Sequence, residues 1–479
     1  MLLYTLIILP LLGAALTLLA RPATFDRIFL ISSAILHAAV VGLCWLQNPA
    51  PALGGWLALD PLGLIFLTIT SVLFLLAAIY TIGYLRSGPH GNENVFIASL
   101  QFFLAAMTLV TMSQHVGLLW VAIEATTLTS APLIYFHRSP SSLEAMWKYL
   151  MICSVGIGLA LLGTLFLGVA ASRPHGAAVP MVLNSLAAQA NSLDPTWLKI
   201  AFLFLLIGYG TKMGLAPLHT WLPDAHSEAP SPASALLSGA LLNCAFLGIL
   251  RFYQICAAAG LADFVRELLV LFGLLSLGVA AAFIVGQSDF KRMLAYSSVE
   301  HMGILSLGVG LGGAGVYGAL LHAVNHSLAK GLLFLVAGNI LLAYQTKEMA
   351  RVHGLRQRLP VTAILLLAGF LAITGSPPFG LFLSEFTILK SALDARQTST
   401  AALYLLFLAV AFVGMAAAVL KMGAAADHAL ENKVNTREPI WLIASPLVLT
   451  LMLLMLGLYI PAPLQDLLGQ AANILGVPK

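Results

Sequence analysis

The chain has 479 residues, 60% of them hydrophobic and only 9% charged, with a mean hydropathy of +0.96. Soluble domains carry about 25% charged residues, so this composition excludes a soluble enzyme and indicates a polytopic, all-helical membrane protein. A net charge of +4, small for the length and spread over loops, gives no basis for a nucleic-acid partner.

Residues 1–20 lack the basic leader of a cleaved signal and continue into a chain that is apolar throughout, so they read as a first transmembrane helix. Apolar runs bounded by Pro, Gly or charge then predict fourteen spans: 2–20, 27–46, 61–85, 95–112, 116–136, 143–171, 197–225, 232–256, 264–287, 291–310, 315–344, 360–393, 400–423 and 440–460. The tail from 461 is short and weakly amphipathic. An even count places both termini on one side. With the termini outside, the inner loops hold fourteen basic residues, Arg21, Lys148, Lys291, Lys433 and Arg437 among them, against seven outside, including Arg173, Arg251, Lys390 and Lys479. The bias of Lys and Arg toward the inner side therefore predicts external termini. Cys44, Cys153, Cys244 and Cys256 lie in apolar runs without CxxC spacing or clustered histidines, so they read as small buried apolar side chains and no iron–sulfur or zinc site is expected of them.

Two spans are interrupted. Span seven breaks at GLAPLH, around Pro217, and span twelve breaks between Gly375 and Gly380, around Pro377 and Pro378. Interrupted spans five helices apart are what an internal repeat of five helices produces, inverted because five is odd. The predicted organisation is three N-terminal helices in 1–94, a first five-helix unit in 95–257, a second in 258–424, and a last helix with its tail in 425–479. Two unrelated proline kinks are the alternative.

The ionisable residues inside spans stand out, since a charge at the bilayer centre costs roughly 2.5–3.5 kcal/mol on insertion scales. Lys212 precedes the break of span seven, and Glu124 lies near the middle of span five. A lone buried carboxylate protonates, so the natural stabiliser of Glu124 is Lys212, and separating such a pair drives each member toward its neutral form. That is a proton-release device; a static bridge locking two helices is the alternative. His322, His326 and Lys330 recur every four positions in span eleven and form one helical stripe that fits a proton path. They could also be histidines satisfied at a helix contact. A metal or haem reading of this HxxxH pair lacks a further ligand in its own segment, so no metal is expected. Glu385, just past the break of span twelve, is either the exit end of a path or an interfacial glutamate. Glu300 and His301, in AYSSVEHMG, are open between relay and local hydrogen bonding. GLGGAG at 310–315 satisfies a nucleotide-binding spacing but joins two spans without a preceding strand, so it reads as a turn. The sequon at Asn325 sits inside a span.

The segments HTWLPDAHSEAPSPASALLSGALL, SDFKRMLAYSSVEHMGI and FLSEFTIL resemble the antiporter-like, proton-pumping subunits shared by respiratory complex I, Mrp-type Na⁺/H⁺ antiporters and membrane-bound group 4 [NiFe] hydrogenases. Within that family, WVAIEATTLTSAPLIYF looks most like the F-type membrane component of hydrogenase-4 complexes. The resemblance implies fourteen helices with two inverted five-helix repeats, Glu124 and Lys212 as an ion pair, Lys330 with His322 and His326 as a central relay, and Glu385 as a terminal site. It also implies a prokaryotic inner-membrane location, partner membrane subunits, and a peripheral redox arm that carries the Ni–Fe centre and iron–sulfur clusters, with no cofactor in this chain. The transported ion would be H⁺, with Na⁺ as the alternative. Other readings are an Mrp-type antiporter subunit or a membrane subunit of an inorganic-carbon uptake complex. One position departs from the pattern: where several relatives carry lysine or histidine in span eight, this chain has Asn243, so the path would rely on water or on His226.

Overall fold

The computed structural model describes residues 1–19, 23–87, 91–172, 179–423 and 438–476. Among these, regular structure is helical, and eleven helices are long and apolar enough to cross a membrane. Arg21, Arg173, Lys433, Arg437 and Lys479, all used in the charge count, lie outside the described residues.

The N-terminal helices are α1 (Leu2–Leu19), α2 (Ala23–Gln47) and α3 (Pro61–Ser87), followed by α4 (Glu93–Met112), α5 (Val116–Ile134) and α6 (Pro140–Ala170). A short helix α7 (Leu183–Ala188), unforeseen from the sequence, folds back over the start of α5, where Leu183 N–H donates to Gln114 O at 2.8 Å. Only six residues long, with Leu183 and Leu186 buried, α7 is too short for an apolar period to announce it.

The interrupted seventh span is α8 (Pro195–Met213) followed by α9 (Trp221–Glu228). Gly214 ends α8 in the left-handed region, at φ 84°, which favours glycine. The freed backbone groups find side-chain partners: Ala216 N–H donates to Ser276 Oγ at 2.9 Å, and Trp221 Nε1 donates to Thr211 O at 2.8 Å. Non-helical backbone is tolerated at membrane depth on that condition. Next come α10 (Ser231–Leu236), one π-helical stretch at Leu237–Leu241, and α11 (Leu242–Ala258), which together form one wholly buried span. After α12 (Ala262–Ile284), α13 (Phe290–Leu311) and α14 (Ala314–Tyr344) come the four-residue α15 (Leu355–Arg358) and the second interruption, α16 (Pro360–Ile373) and α17 (Gly380–Asp394). Then α18 (Thr398–Gly423), α19 (Ile440–Leu458) and a terminal α20 (Ala462–Ile474) complete the chain, the last packing against α3 and α14.

Helix α14 is the axis of the molecule: buried along most of its length, it packs against α3, α10, α13, α16, α17 and α19. Helices α1, α2, α6 and α18 are about one third buried and present apolar side chains such as Leu16, Ile35, Val155 and Val413 outward. Between apolar helices in lipid, association depends on close packing rather than on water release. Small residues supply it here. A Cβ on Gly208 of α8 would lie 2.6 Å from Gly156 O of α6, and one on Gly273 of α12 would lie 2.9 Å from Gly303 O of α13.

Two charges that the sequence reading counts with the loops, although they fall at the ends of spans eight and ten, are buried. Arg251 of α11, 1% exposed, pairs with Asp60 ahead of α3, its Nη2 donating to Oδ1 at 2.7 Å. Burial opposes ionisation of Asp60, but the Arg251 guanidinium and the Gly63 N–H overcome it and hold the carboxyl below its usual range. Lys291, 1% exposed, donates to Ala229 O at 2.5 Å and to Ser227 O at 3.3 Å. These two residues act as staples between helices, so charge counting over loops overstates the free basic residues on both sides.

Candidate functional site

A run of polar side chains crosses this apolar core. At one end, Lys212 closes α8 and is fully buried. Its Nζ donates to Tyr149 OH at 2.5 Å and to Thr127 Oγ1 at 2.9 Å, and it lies 4.5 Å from the Tyr149 ring centre. Thr127 in turn donates to Glu124 Oε2 at 3.3 Å. Glu124 is only half-buried, and its other oxygen accepts from Ser154 Oγ at 3.2 Å. The expected direct pair is therefore a three-group chain, Lys212–Thr127–Glu124, with its carboxylate end turned toward the outer face of α5 and α6. Thr127 sits three residues after Glu124, so helix geometry puts both on one face.

Between this end and α14 stand amides and hydroxyls. Asn243 opens α11 directly after the π-helical stretch, and its Nδ2 donates to Ser327 Oγ at 2.7 Å, Gly239 O at 3.0 Å and Ala323 O at 3.4 Å. Such a stretch is a recurrent feature of functional helices. A Cβ at Gly239 would sit 2.4 Å from Leu73 Cδ2 and 3.0 Å from Ser327 O, so a side chain there would push the π turn away from α3 and α14. Ser238 of the π-helical stretch and Ser298 of α13 bring their hydroxyls 2.7 Å apart. His226 of α9 is fully buried and stacks on Phe334 of α14 with ring centres 4.9 Å apart. Neither of its ring nitrogens has a hydrogen-bond partner among the described residues.

On α14, Lys330 Nζ donates to Leu294 O and Ser297 Oγ, both at 2.8 Å. His322 Nε2 lies 2.8 Å from His301 Nδ1, and His322 Nδ1 lies 3.0 Å from Ser384 Oγ of α17. His326 is part of the same stack, its ring centre 5.1 Å from that of His301. The stripe read along one helix is thus a cluster built from three. Glu385 is buried and folded back against the break of span twelve: a Cβ on Gly375, itself at φ 61°, would fall 1.9 Å from Glu385 Oε2. Glu300 is 4% exposed and lies within electrostatic reach of both Lys330 and Glu385.

Around α9, Lys347 Nζ pairs with Glu228 Oε1 at 2.7 Å, Ser227 Oγ donates to Asp289 Oδ2 at 2.6 Å, and Arg292 pairs with Asp224 at 2.9 Å. These ties join the break of span seven to the start of α13.

All ten residues singled out from the sequence fall on or beside this run. Thr127, Tyr149 and Ser384 were not singled out, whereas Ser297 is one of the hydroxyls of AYSSVEHMG noted beside Glu300 and His301. Thr127 carried a legible signal in its spacing from Glu124, whereas hydroxyl residues are common in such helices and the others offered none. The four cysteines are buried and free.

The family described as NADH:quinone oxidoreductase/Mrp antiporter, TM matches residues 113–413, which hold the whole run. The Hydrogenase-4 component F homolog of Methylacidiphilum infernorum is 42% identical over 352 residues, covering 71% of this chain and 73% of that protein. Hydrogenase-4 component B of Escherichia coli is 31% identical over 383 residues, 77% of this chain but 56% of its own length, so the chain spans just over half of that relative. Among solved structures, a chain of the membrane-bound sulfane sulfur reductase, an archaeal respiratory membrane complex, superposes with a TM-score of 0.89 over 99% of this chain and 98% of that one, at 22% identity, a likeness of fold.

Proposed function

Because the chain belongs to the membrane family shared by NADH:quinone oxidoreductases and Mrp antiporters, we propose that it is the proton-translocating, antiporter-like subunit of a redox-driven complex of the hydrogenase-4 type. The observation that carries this reading is the run of buried titratable groups from Lys212 to Glu385, set in helices that otherwise bury apolar side chains. Ionisable residues inside membrane spans are costly and mark ion pathways.

The chemistry follows from the contacts. With Glu124 ionised, the chain through Thr127 favours the ammonium of Lys212. Withdrawing or neutralising the Glu124 charge removes that support, and a fully buried ammonium then loses its proton. Ser238, Ser298 and the Asn243 amide line the way to α14, and Asn243 orients rather than carries, since an amide has no transferable proton at neutral pH. Lys330 and the imidazoles of His322, His326 and His301 pass the proton on, with Glu385 as the last acceptor. His226, on the inner side of Lys330, offers a second approach to the same cluster. Because Glu124 reaches the outer face of α5 and α6, a neighbouring membrane subunit can act on it directly.

In this reading the two interrupted spans belong to two inverted five-helix units, 95–257 and 258–424, and both termini face outward from a prokaryotic cytoplasmic membrane. Partners are other membrane subunits and a peripheral arm that holds the Ni–Fe and iron–sulfur centres. The test is copurification from native membranes followed by proton uptake in vesicles driven by the redox partner. Recovery of hydrogenase-type subunits and a pH gradient coupled to electron flow support the reading. Recovery with Mrp-type subunits alone, and exchange of Na⁺ for H⁺ without electron transfer, replaces it with a secondary antiporter.

A further inference from the structure

His301 on α13, His322 on α14 and Glu385 on α17 bring one ligand atom each to a common point: a ring nitrogen of each histidine and a Glu385 oxygen all lie within 4.8 Å of one another. No other group of three such residues does so among the described residues. Within one helix the HxxxH pair lacks further ligands; the fold supplies them from two other helices.

The hydrogen bonds around the cluster fix which nitrogens face inward. Ser384 Oγ lies 3.0 Å from His322 Nδ1 and 2.8 Å from Leu381 O, so that edge of the ring is tied to Ser384 and His322 Nε2 faces the other way. It lies 2.8 Å from His301 Nδ1, and one ring nitrogen donates to the other. The remaining edge of His301 faces the Ile373 carbonyl, which also calls for an N–H. The two facing nitrogens therefore hold a single hydrogen between them, and both rings can be neutral. Glu385 is 8% exposed, and its Oε1 has no hydrogen-bond partner among the described residues.

Outward ring edges tied to a hydroxyl and a carbonyl, with inward nitrogens converging on a carboxylate, are how metal-binding histidines are oriented. We propose that His301, His322 and Glu385 form a site for a borderline divalent cation of the Zn²⁺ class, which on binding displaces the shared proton and closes the polar run at α14. On binding, the hydrogen between the facing nitrogens gives way to the metal and is carried instead at His322 Nδ1, where Ser384 Oγ accepts it and turns its own hydrogen to Leu381 O, and two Zn–N bonds from neutral imidazoles and one Zn–O bond form. Two imidazoles and a carboxylate leave a fourth tetrahedral position for water, the ligand set and geometry of an open zinc site. The rings separate slightly in the process, because nitrogens 2.8 Å apart are closer than tetrahedral ligands at about 2.0–2.1 Å from a metal stand. Lys330, the nearby cation, has its Nζ committed to Leu294 O and Ser297 Oγ, two turns along α14 from His322, and Glu385 and Glu300 offset its charge. The site's existence does not depend on the transport reading, and the two are tested by different readouts.

The experiment is Zn²⁺ titration of the intact complex, with retained metal measured after dialysis and the zinc environment read by X-ray absorption. One zinc per chain with imidazole scattering at about 2.0–2.1 Å is expected. His322→Asn and Glu385→Gln should each weaken retention at least tenfold, while His37→Asn, remote from the cluster, leaves it unchanged. Zinc should also block proton uptake saturably in the wild type. The proposal is overturned if the wild type retains no zinc, if its spectrum lacks imidazole, or if His322→Asn binds zinc as the wild type does. Should the variants fail to assemble, the wild-type spectrum decides alone, with Co²⁺ absorption as an independent measure of tetrahedral nitrogen ligation. A chain that binds zinc in this way but pumps no protons keeps the site and discards the transport reading.

Discussion

Lys212 and Glu124 are joined through a third residue: Thr127 Oγ1 stands between them, 2.9 Å from the ammonium and 3.3 Å from the carboxylate. The hydroxyl accepts from one and donates to the other, so it transmits the charge of Glu124 to Lys212 with a fixed polarity. A hydrogen bond to a charged group contributes about 1.5–3 kcal/mol. Thr127→Val removes the hydroxyl at constant volume and should lower proton uptake by roughly ten- to a hundredfold, the rate equivalent of that energy. Thr127→Ser should restore most of it. Uptake by vesicles of the two variants, compared at equal complex content, checks this; equal rates in Val and Ser variants would mean the bridge is only structural.

Asn243 leads to the opposite expectation. Its Nδ2 is committed to Ser327 and two carbonyls, which makes it a tie between α11 and α14 rather than a carrier. Asn243→Ala should cost about 1–3 kcal/mol of stability by leaving buried groups unpaired and reduce uptake less than tenfold, whereas Lys330→Ala abolishes it. Thermal unfolding of the complex together with uptake separates the two effects. Loss of transport in Asn243→Ala at unchanged stability would place the amide in the path itself.

Gly375 leaves room for Glu385. A Cβ there would collide with Oε2 at 1.9 Å, and the residue's φ of 61° disfavours a side chain in any case. Gly375→Ala should therefore push Glu385 out of the cluster and cut uptake more than tenfold while the complex still assembles. Wild-type uptake in this variant would remove Glu385 from the path.

How much of this was legible in the sequence depended on range. The apolar runs located the helices to within a few residues, and glycine and proline at Gly214, Pro217 and Gly375 marked both breaks, because local backbone chemistry dictates them. The stripe of His322, His326 and Lys330 followed from helical period alone. What the sequence could not give was the partner across a helix contact. Arg251 and Lys291 looked like loop charges until the fold set them against Asp60 and the 227–229 carbonyls, and nothing local to His322 announces that His301 and Glu385 converge on it. The π turn before Asn243, which lies against Ser327, likewise has no local signal in the sequence.

The Asp60–Arg251 staple lies outside the proposed path and gives a stability test with a pH sign. Asp60 is held below its ordinary value of 3.8, so its contribution is fully present above about pH 4 and is lost as pH falls through the lowered folded value. Asp60→Asn leaves a buried guanidinium without its carboxylate, which costs about 3–5 kcal/mol. Unfolding midpoints of the wild type and the variant should differ most near neutral pH and converge in acid. A constant difference across that range would mean the carboxylate's charge is not what holds α11 to α3.

The most direct test of proton transfer through Lys212 is proton uptake per electron transferred in sealed vesicles carrying the complex with Lys212→Ala, beside the wild type, with subunit content verified in both. The expected result is an assembled complex that transfers electrons but builds no pH gradient through this subunit. An unchanged ratio of protons to electrons in Lys212→Ala would contradict it.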